Sequence, residues 1–230
     1  MRIFDIIISL SALIILAPLF VVPALLLKTT GEGQIFYFQL RQGRYGQAFK
    51  IFKFATMLKD SPNLGSGSIT SKNDSRILPV GKYLRKSKIN ELPQLINILV
   101  GDMALIGPRP HVERDLLGVD ETQLEIIQSV RPGLSGVASI IFRDEESLLQ
   151  KYDNPRFIYD TKIAPCKARL EFWYVKNRRA SLDLTLLICT IHAVFVKNSK
   201  MIFRFYPNLS FALDLIEDLY KSNAGEKNNN

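Results

Sequence analysis

Residues 80 to 110 read VGKYLRKSKINELPQLINILVGDMALIGPRP, and this stretch carries the most specific pattern in the chain. Asn90 and Glu91 stand just ahead of Pro93, which opens an apolar run of helical character. Proline suits the first turn of a helix, where its missing N–H costs nothing, and asparagine is a common N-cap. Taken alone, the pattern predicts a short helix capped by Asn90, with Glu91 near the positive end of the helix dipole.

Two arginines close to this motif extend the interpretation. Arg85 precedes it by one to two turns, and its guanidinium can hold a phosphate through two parallel hydrogen bonds. Arg109 lies between Pro108 and Pro110, whose fixed φ angles lower the entropy cost of holding the arginine against an anion. Either arginine alone could simply form a surface salt bridge. Together with Glu91 they indicate phosphate chemistry.

The first part of the chain contains a long uncharged segment, from residue 6 to residue 27. As a straight helix these 22 residues would span about 33 Å, close to the hydrocarbon thickness of a bilayer. Pro18 predicts a bend near Ala17, and Arg2 and Lys28 place a positive charge at both ends. A bent helix that enters and leaves the same leaflet satisfies both observations, while a kinked helix that crosses the membrane is the alternative.

The chain of 230 residues is basic, with 30 Lys and Arg against 22 Asp and Glu and a net charge of +8. This excess suits anionic lipid or phosphorylated substrates as well as nucleic acid. Aromatic and basic residues are not interleaved as in a nucleic-acid-binding segment, so no nucleic-acid partner is expected. Cys166 and Cys189 are isolated in the sequence, which favours two buried thiols in a reducing compartment.

Patterns elsewhere predict an α+β fold that is mainly helical with one small β-hairpin. Two aromatic-rich runs within residues 34–54 flank a turn that contains glycines, which is typical of a hairpin. Residues 60–75 have the composition of a loop, and residues 137–142 resemble a short strand or a buried segment. The apolar run at 182–196 is too short to span a membrane, so it packs in the core or lies flat at the membrane surface, and we expect a partly interfacial amphipathic helix.

Several segments together resemble the bacterial sugar transferase family, whose members are monotopic polyprenyl-phosphate phosphoglycosyl transferases. The resemblance runs from about residue 1 to residue 196. It rests on RIFDIIISLSALIILAPLF, FYFQLRQGRYGQAFKIFKFATM, the stretch quoted above, VRPGLSG and YVKNRRASLDL. The expected organisation is a re-entrant anchor at residues 1–28, a catalytic domain at residues 29–196, and an extension at residues 197–230 that ends in a disordered tail.

The resemblance implies a specific reaction and place. Family members lie in the inner leaflet of the bacterial cytoplasmic membrane, with the catalytic domain in the cytoplasm. They move a sugar-1-phosphate from a UDP-sugar to undecaprenyl phosphate, require Mg²⁺ and release UMP. This step starts the assembly of lipid-linked glycans such as capsule, exopolysaccharide, O-antigen or glycoprotein glycans. The implied partners are the UDP-sugar, undecaprenyl phosphate and membrane lipids, and a homo-oligomer is possible.

The resemblance also assigns roles to residues of the quoted stretch. Arg85 matches the arginine that holds phosphate, and Arg109, with Pro108 and Pro110, matches the Pro-Arg-Pro turn of the substrate site. The position of Asn90 and Glu91 is that of the catalytic, metal-binding acidic pair, in which the first residue, an aspartate, attacks the β-phosphorus and forms a covalent phosphosugar. Glu91 is then the acidic partner and the neighbour of the metal.

Three positions depart from the family pattern. The helix break reads Ala17-Pro18 instead of Ser-Pro, and Ala55 stands where a basic residue is usual. Asn90 occupies the nucleophile position, and a neutral amide is a poor nucleophile and a weak magnesium ligand. Glu91 then takes the nucleophile's role or activates the lipid phosphate for direct transfer. Alternatively, the covalent step is crippled, or the chain is a non-catalytic homologue that still binds donor or polyprenyl phosphate.

Overall fold

In a computed structural model of the chain, residues 1–61, 74–110, 120–196 and 199–226 are described, with side chains up to residue 221. Most of the loop expected at 60–75 and the end of the tail expected to be disordered lie outside these ranges. The helices of the described part are α1 (Arg2–Ile15), α2 (Pro18–Thr30), α3 (Pro79–Lys86), α4 (Gln94–Val100), α5 (Glu121–Gln128), α6 (Val137–Ile141), α7 (Glu145–Leu149), α8 (Pro155–Ile158), α9 (Ala164–Lys176), α10 (Ala180–Phe195), α11 (Met201–Phe205) and α12 (Ser210–Glu226).

The strands form two small sheets in the described part of the chain. Strands β1 (Phe36–Gln42) and β2 (Ala48–Phe54) pair antiparallel, in register from Phe36 opposite Phe54 to Gln42 opposite Ala48. Strands β3 (Ala104–Ile106) and β4 (Gly133–Ser135) pair in parallel, which the sequence pattern did not predict. The predicted α+β class, mainly helical with a small hairpin, is confirmed. Residues 137–141 form the short helix α6, and three of its five residues are buried, so the buried alternative for this segment is confirmed and the strand alternative was wrong. The apolar, β-branched composition of such a short run suits a buried helix as well as a strand.

The N-terminal helices α1 and α2 are bent by 60° at a short break. Leu16 and Ala17 lie between the two helices, and Pro18 is the first residue of α2, where its missing N–H leaves no intrahelical bond unmade. Among the described residues no single helix has the length and apolar character needed to cross a bilayer, whereas the bent pair reaches that length and composition when its two halves are taken together.

Both ends of this bent pair are held by the globular part. At the beginning, the Arg2 guanidinium donates to the carbonyl oxygens of Ile98 and Leu99 at the C-terminal end of α4, the second at 2.7 Å. Asp5, also buried, accepts from the backbone N–H of Leu105 in β3 at 3.3 Å. At the far end, Leu27 is fully buried in a cluster with side chains of β2 and α3.

A continuous apolar core packs around α9 and α10. Tyr174 is fully buried and its hydroxyl donates to Asp183 at 2.7 Å, so the carboxylate of α10 has a partner inside the core. Cys166 and Cys189 are buried free thiols, which confirms that prediction. One face of α10 joins this core, while Leu184, Ile188, Ile191 and Phe195 are exposed on the other.

The C-terminal extension packs onto this core as well. Ile202, Leu209 and Ala212 of the extension are almost completely buried within the main apolar cluster. The Tyr152 hydroxyl donates to the carbonyl oxygen of Leu219 in α12. The sequence pattern assigns no role to residues 197–230. In the described part, these residues pack against the segment that follows α7.

Candidate active site

The motif at residues 89–91 is a tight 3₁₀ turn between α3 and α4. Lys88, just before it, adopts a left-handed backbone conformation with a φ of 61°, which is uncommon for a non-glycine residue. The helix α4 begins only at Gln94, and the Asn90 side chain makes no capping hydrogen bond. The prediction that Asn90 caps the helix was therefore wrong, because the sharp reversal at Lys88 inserts an extra turn ahead of α4. Asn90 is buried instead, and Glu91 is half-buried.

The Pro-Arg-Pro turn reaches Glu91 from the end of β3. A guanidinium nitrogen of Arg109 lies 3.7 Å from a carboxylate oxygen of Glu91. The turn itself is fixed by its backbone, since the Pro108 carbonyl accepts from the N–H of Gly133 at 2.8 Å. Gly107 and Gly133 approach so closely that a Cβ on either would collide with the backbone of the other. This close crossing holds Arg109 at the site.

Glu91 is a carboxylate surrounded by positive charge. Burial alone would raise its pKa, but the charges of Arg109, Lys53, Lys88 and Arg85 outweigh this effect and lower the pKa to about 2. Glu91 is therefore ionised at every physiological pH. Such a group serves as a fixed negative charge or metal ligand and cannot act as a general base near neutrality.

Lys53 belongs to this site and was missed in the sequence. It lies in β2 opposite Tyr37, and together with Arg41, Gln94 and Arg109 it lines a small pocket between the hairpin and the Pro-Arg-Pro turn. Burial, with the charges of Arg109, Arg41 and Arg85, lowers the Lys53 pKa to about 7, although Glu91 opposes the shift. Lys53 lies between Phe52 and Phe54 in a largely apolar strand. A lysine at such a position was the sequence signal that could have identified it as a site residue.

Arg41 links the hairpin to the turn. One of its guanidinium nitrogens donates to Gln39 at 2.8 Å, and another donates to the Pro110 carbonyl at 3.4 Å. Pro108 and Pro110 therefore act through their buried backbone, which positions Arg109 between them. The pocket gathers two arginines, which stay charged, and Lys53, whose lowered pKa leaves it partly charged at neutral pH, and this set suits an anionic ligand.

Arg85 approaches the same site from the last turn of α3. Its guanidinium donates to Glu146 at 2.9 Å and lies 4.0 Å from the sulfur of Met57. No direct contact between Arg85 and Glu91 is present among the described contacts, yet the arginine is close enough to help lower the pKa of Glu91. Ala55 is buried, so the position where the family has a basic residue contributes packing only.

Two oxygen donors in the site suit a hard cation. Asn90 Oδ1 is buried and has no hydrogen-bond partner among the described atoms, and Glu91 supplies an ionised carboxylate. No group of three or more His, Cys, Asp and Glu side chains with metal-binding geometry occurs in the described ranges. Magnesium commonly takes one or two protein ligands and completes its shell with water and substrate phosphates, so the Glu91 carboxylate would be its main protein ligand here and the Asn90 amide oxygen a weaker second one.

A second buried acid lies beneath the turn. Glu171 of α9 is 1% exposed, and one of its carboxylate oxygens accepts from the Arg109 backbone N–H at 3.3 Å. Its other oxygen has no hydrogen-bond partner among the described atoms. Burial raises the pKa of Glu171 to about 7, although the hydrogen bond from Arg109 and the charge of Lys167 oppose the shift.

This raised pKa makes a prediction about stability. A carboxyl group whose pKa rises from 4.5 to about 7 on folding lowers the free energy of unfolding as the pH increases through that interval, by about 3 kcal/mol in total. We expect Glu171→Gln to remove this loss, so the melting temperature of the variant relative to the natural chain should rise between pH 5 and pH 8. The exposed Glu121→Gln serves as the control, and an equal response of both variants would contradict the assignment.

Comparisons with known proteins identify the relatives of this chain. The model of the bacterial sugar transferase family matches residues 1–197. The exopolysaccharide production protein ExoY of Sinorhizobium fredii is 35% identical over 207 residues, which cover 84% of each chain. The undecaprenyl-phosphate glucose phosphotransferase of Komagataeibacter xylinus is 38% identical over 204 residues, or 86% of this chain and 36% of that protein. The UDP-glucose:undecaprenyl-phosphate glucose-1-phosphate transferase of Klebsiella pneumoniae is 33% identical over 86% of this chain and 40% of its own length.

Proposed function

The chain belongs to the bacterial sugar transferase family, and we propose that it transfers a sugar-1-phosphate from a UDP-sugar to undecaprenyl phosphate and releases UMP. The observation that carries this proposal is the ionised Glu91 facing Arg109, beside a pocket that Arg41, Lys53 and Arg109 line. The product would start a lipid-linked glycan, in keeping with the exopolysaccharide role in the name of the Sinorhizobium fredii relative.

Both substrates are anions, and the site reduces their mutual repulsion. Arg109 and Lys53 lie side by side at this site, where their charges can offset those of the donor diphosphate and the lipid phosphate. The second ionisation of a phosphate monoester has a pKa of about 6, so the lipid phosphate carries an ionised attacking oxygen at neutral pH. No general base is then required, which agrees with the low pKa of Glu91.

We assign a single displacement to this chain. An oxygen of the lipid phosphate forms a bond to the β-phosphorus of the UDP-sugar, and the bond from that phosphorus to the bridging oxygen breaks. The bridging oxygen leaves with UMP, so atoms and charge balance without an enzyme-bound sugar phosphate. Asn90 supports this route, because its amide cannot serve as the nucleophile of a two-step reaction.

Magnesium is the cofactor that we propose for the reaction. Glu91 and the Asn90 amide oxygen would hold it, and when bound it would neutralise charge on the phosphoryl oxygens. Removal of divalent ions with a chelator should stop UMP release, and added Mg²⁺ should restore it. The ionised state of Glu91 means that this ligand is ready at neutral pH.

We also propose that the protein lies in one leaflet of the bacterial cytoplasmic membrane with its site facing the cytoplasm. Two observations support a re-entrant anchor. The helices α1 and α2 bend by 60°, and both ends of the pair touch the same globular part, through Arg2 and Leu27. A helix that crossed the bilayer would place these two ends on opposite sides.

The proposed function is tested by measuring UMP release from lipid-embedded protein with undecaprenyl phosphate, Mg²⁺ and a panel of UDP-sugars. The natural chain should release UMP only when the lipid phosphate is present, because a single displacement needs its acceptor. Asn90→Asp restores a carboxylate nucleophile. We expect this variant to release about one equivalent of UMP per enzyme without the lipid and to retain a covalent sugar phosphate, which mass spectrometry would detect.

The outcomes separate the alternatives. A burst of UMP from the natural chain without lipid would contradict the single displacement and assign the nucleophile's role to Glu91. No UMP from the natural chain under any condition, with release from Asn90→Asp, would show a binding protein on a catalytic scaffold. That second candidate is favoured by the amide at position 90 alone.

A further inference from the structure

The hairpin β1–β2 has two faces of different chemistry. Tyr37, Gln39 and Arg41 are partly buried on the face turned to the globular part. The residues that alternate with them point the other way, and Phe36, Phe38 and Leu40 are 37%, 50% and 62% exposed. Large apolar side chains in such a row on a sheet surface mark an interaction surface.

This outer face is continuous with the bent helix pair. The Phe20 ring of α2 meets the Phe54 ring at 5.7 Å, and Phe54 stacks on Phe36 at 5.5 Å. Phe20 lies in the first turn of α2, next to the break, and packs against the same apolar cluster that holds Leu27. The base of the hairpin therefore lies beside α2, along the part of this helix that runs from the break to its attached end.

Charge and aromatic character change along the hairpin toward its tip. Lys50 is exposed and pairs across the strands with Leu40, on the same outer face. At the tip, Tyr45 is exposed, and the Arg44 guanidinium lies 4.5 Å from the centre of its ring while Nε of Arg44 donates to the Ser129 carbonyl at 2.9 Å. Lysine, arginine and tyrosine are the residues that place an apolar stem in lipid and a polar end at the headgroups. The face therefore runs from apolar at its base to basic and aromatic at its tip.

We propose that the outer face of the hairpin lies in the membrane interface, with Phe36, Phe38 and Leu40 among the acyl chains and Lys50 at the level of anionic lipid phosphates. The inference rests on the proposed function, which requires a membrane. Anionic phospholipid, and not a second copy of the chain, is the occupant, because the face continues the anchor surface and carries basic residues at its edge. Lys53 projects from the opposite face of the same hairpin. With the outer face in the membrane interface, the site therefore lies at the depth of a lipid phosphate.

The test uses single-tryptophan variants in a Trp173→Phe background, in which Phe preserves the ring contact with Tyr206. Each protein is bound to vesicles of phosphatidylglycerol and phosphatidylcholine, with or without phosphatidylcholine brominated near the headgroup end of its acyl chains. We expect bromine to lower the emission of Phe38→Trp about twofold or more, because an interfacial side chain lies within the upper acyl region. Tyr37→Trp, on the other face of the same strand, should change little. Leu40→Trp provides a second outer position if Phe38→Trp does not fold.

Every result bears on the proposal. Quenching at positions 38 and 40 but not at 37 supports it. Equal quenching at 37 and 38, or none in vesicle-bound protein, overturns it. A blue-shifted Phe38→Trp emission that bromine leaves unchanged shows that a second copy covers the face, and also overturns it. Failure of the natural chain to sediment with vesicles would instead contradict the membrane localisation and overturn both, so the two failures are distinguishable.

Discussion

Replacement of Glu91 by glutamine should lower UMP release by about a thousandfold, or roughly 4 kcal/mol in the activation free energy. Glu91 is the carboxylate that faces the Pro-Arg-Pro arginine, and although burial alone would raise its pKa, the nearby charges of Arg109 and Lys53 lower it, so the site favours a negative charge there. The amide keeps the size of the side chain and removes the charge. A proposed magnesium ligand and the partner of Arg109 are lost together.

The control for this variant is Asp160→Asn, which neutralises a carboxylate of an exposed pair with Arg156. Its UMP release should equal that of the natural chain, because exposed pairs contribute little. Melting temperatures of both variants show whether the fold is kept. A folded Glu91→Gln protein that releases UMP within about threefold of the natural rate would remove Glu91 from the proposed mechanism.

Replacement of Arg109 by alanine should reduce UMP release by about a hundredfold to a thousandfold. Arg109 lies 3.7 Å from Glu91 and lines the cationic pocket, and its backbone is held by Glu171 and by the pairing of the turn with β4. Since the turn is positioned through the backbone, alanine should leave its course intact. The lost interaction is then that of the guanidinium with phosphoryl oxygens.

Two further variants make this result specific. Arg109→Lys keeps the charge but not the two-pronged donor geometry, so it should recover part of the rate. Arg204→Ala removes an exposed arginine of α11 in the C-terminal extension and should leave the rate unchanged. Membrane adhesion, measured by vesicle sedimentation, should be the same for all three proteins. An Arg109→Ala protein with a normal rate and altered adhesion would show that this arginine serves lipid binding instead.

The elements of the fold that could be predicted are those with a local cause. The hairpin follows from alternating aromatic strands around a turn with glycines, and the uncharged N-terminal segment follows from composition. The parallel pairing of β3 with β4 could not be predicted, because a strand of three residues is too short to show a periodic pattern in the sequence. It depends on the close approach of Gly107 to Gly133, which are 26 positions apart in the sequence.

The residues of the site divide in the same way, into those with a local signal in the sequence and those that depend on tertiary packing. Arg109 and Glu91 were predicted from the resemblance and from local chemistry, and the structure places them together. Lys53 was missed because its position depends on which face of β2 meets the motif, and that is decided by packing. Asn90 was misread as a helix cap because a short sequence does not reveal the left-handed turn at Lys88.

The double attachment of the N-terminal helices has a mechanical consequence. In the proposed re-entrant placement, the helix pair turns back within one leaflet and is attached at Arg2 and Leu27 to the same globular part, so it would sense only the near half of the bilayer. A spanning helix responds to bilayer thickness by tilting, which would raise or lower whatever it carries. We therefore expect the height of the site above the near headgroups to stay constant in thick and thin membranes.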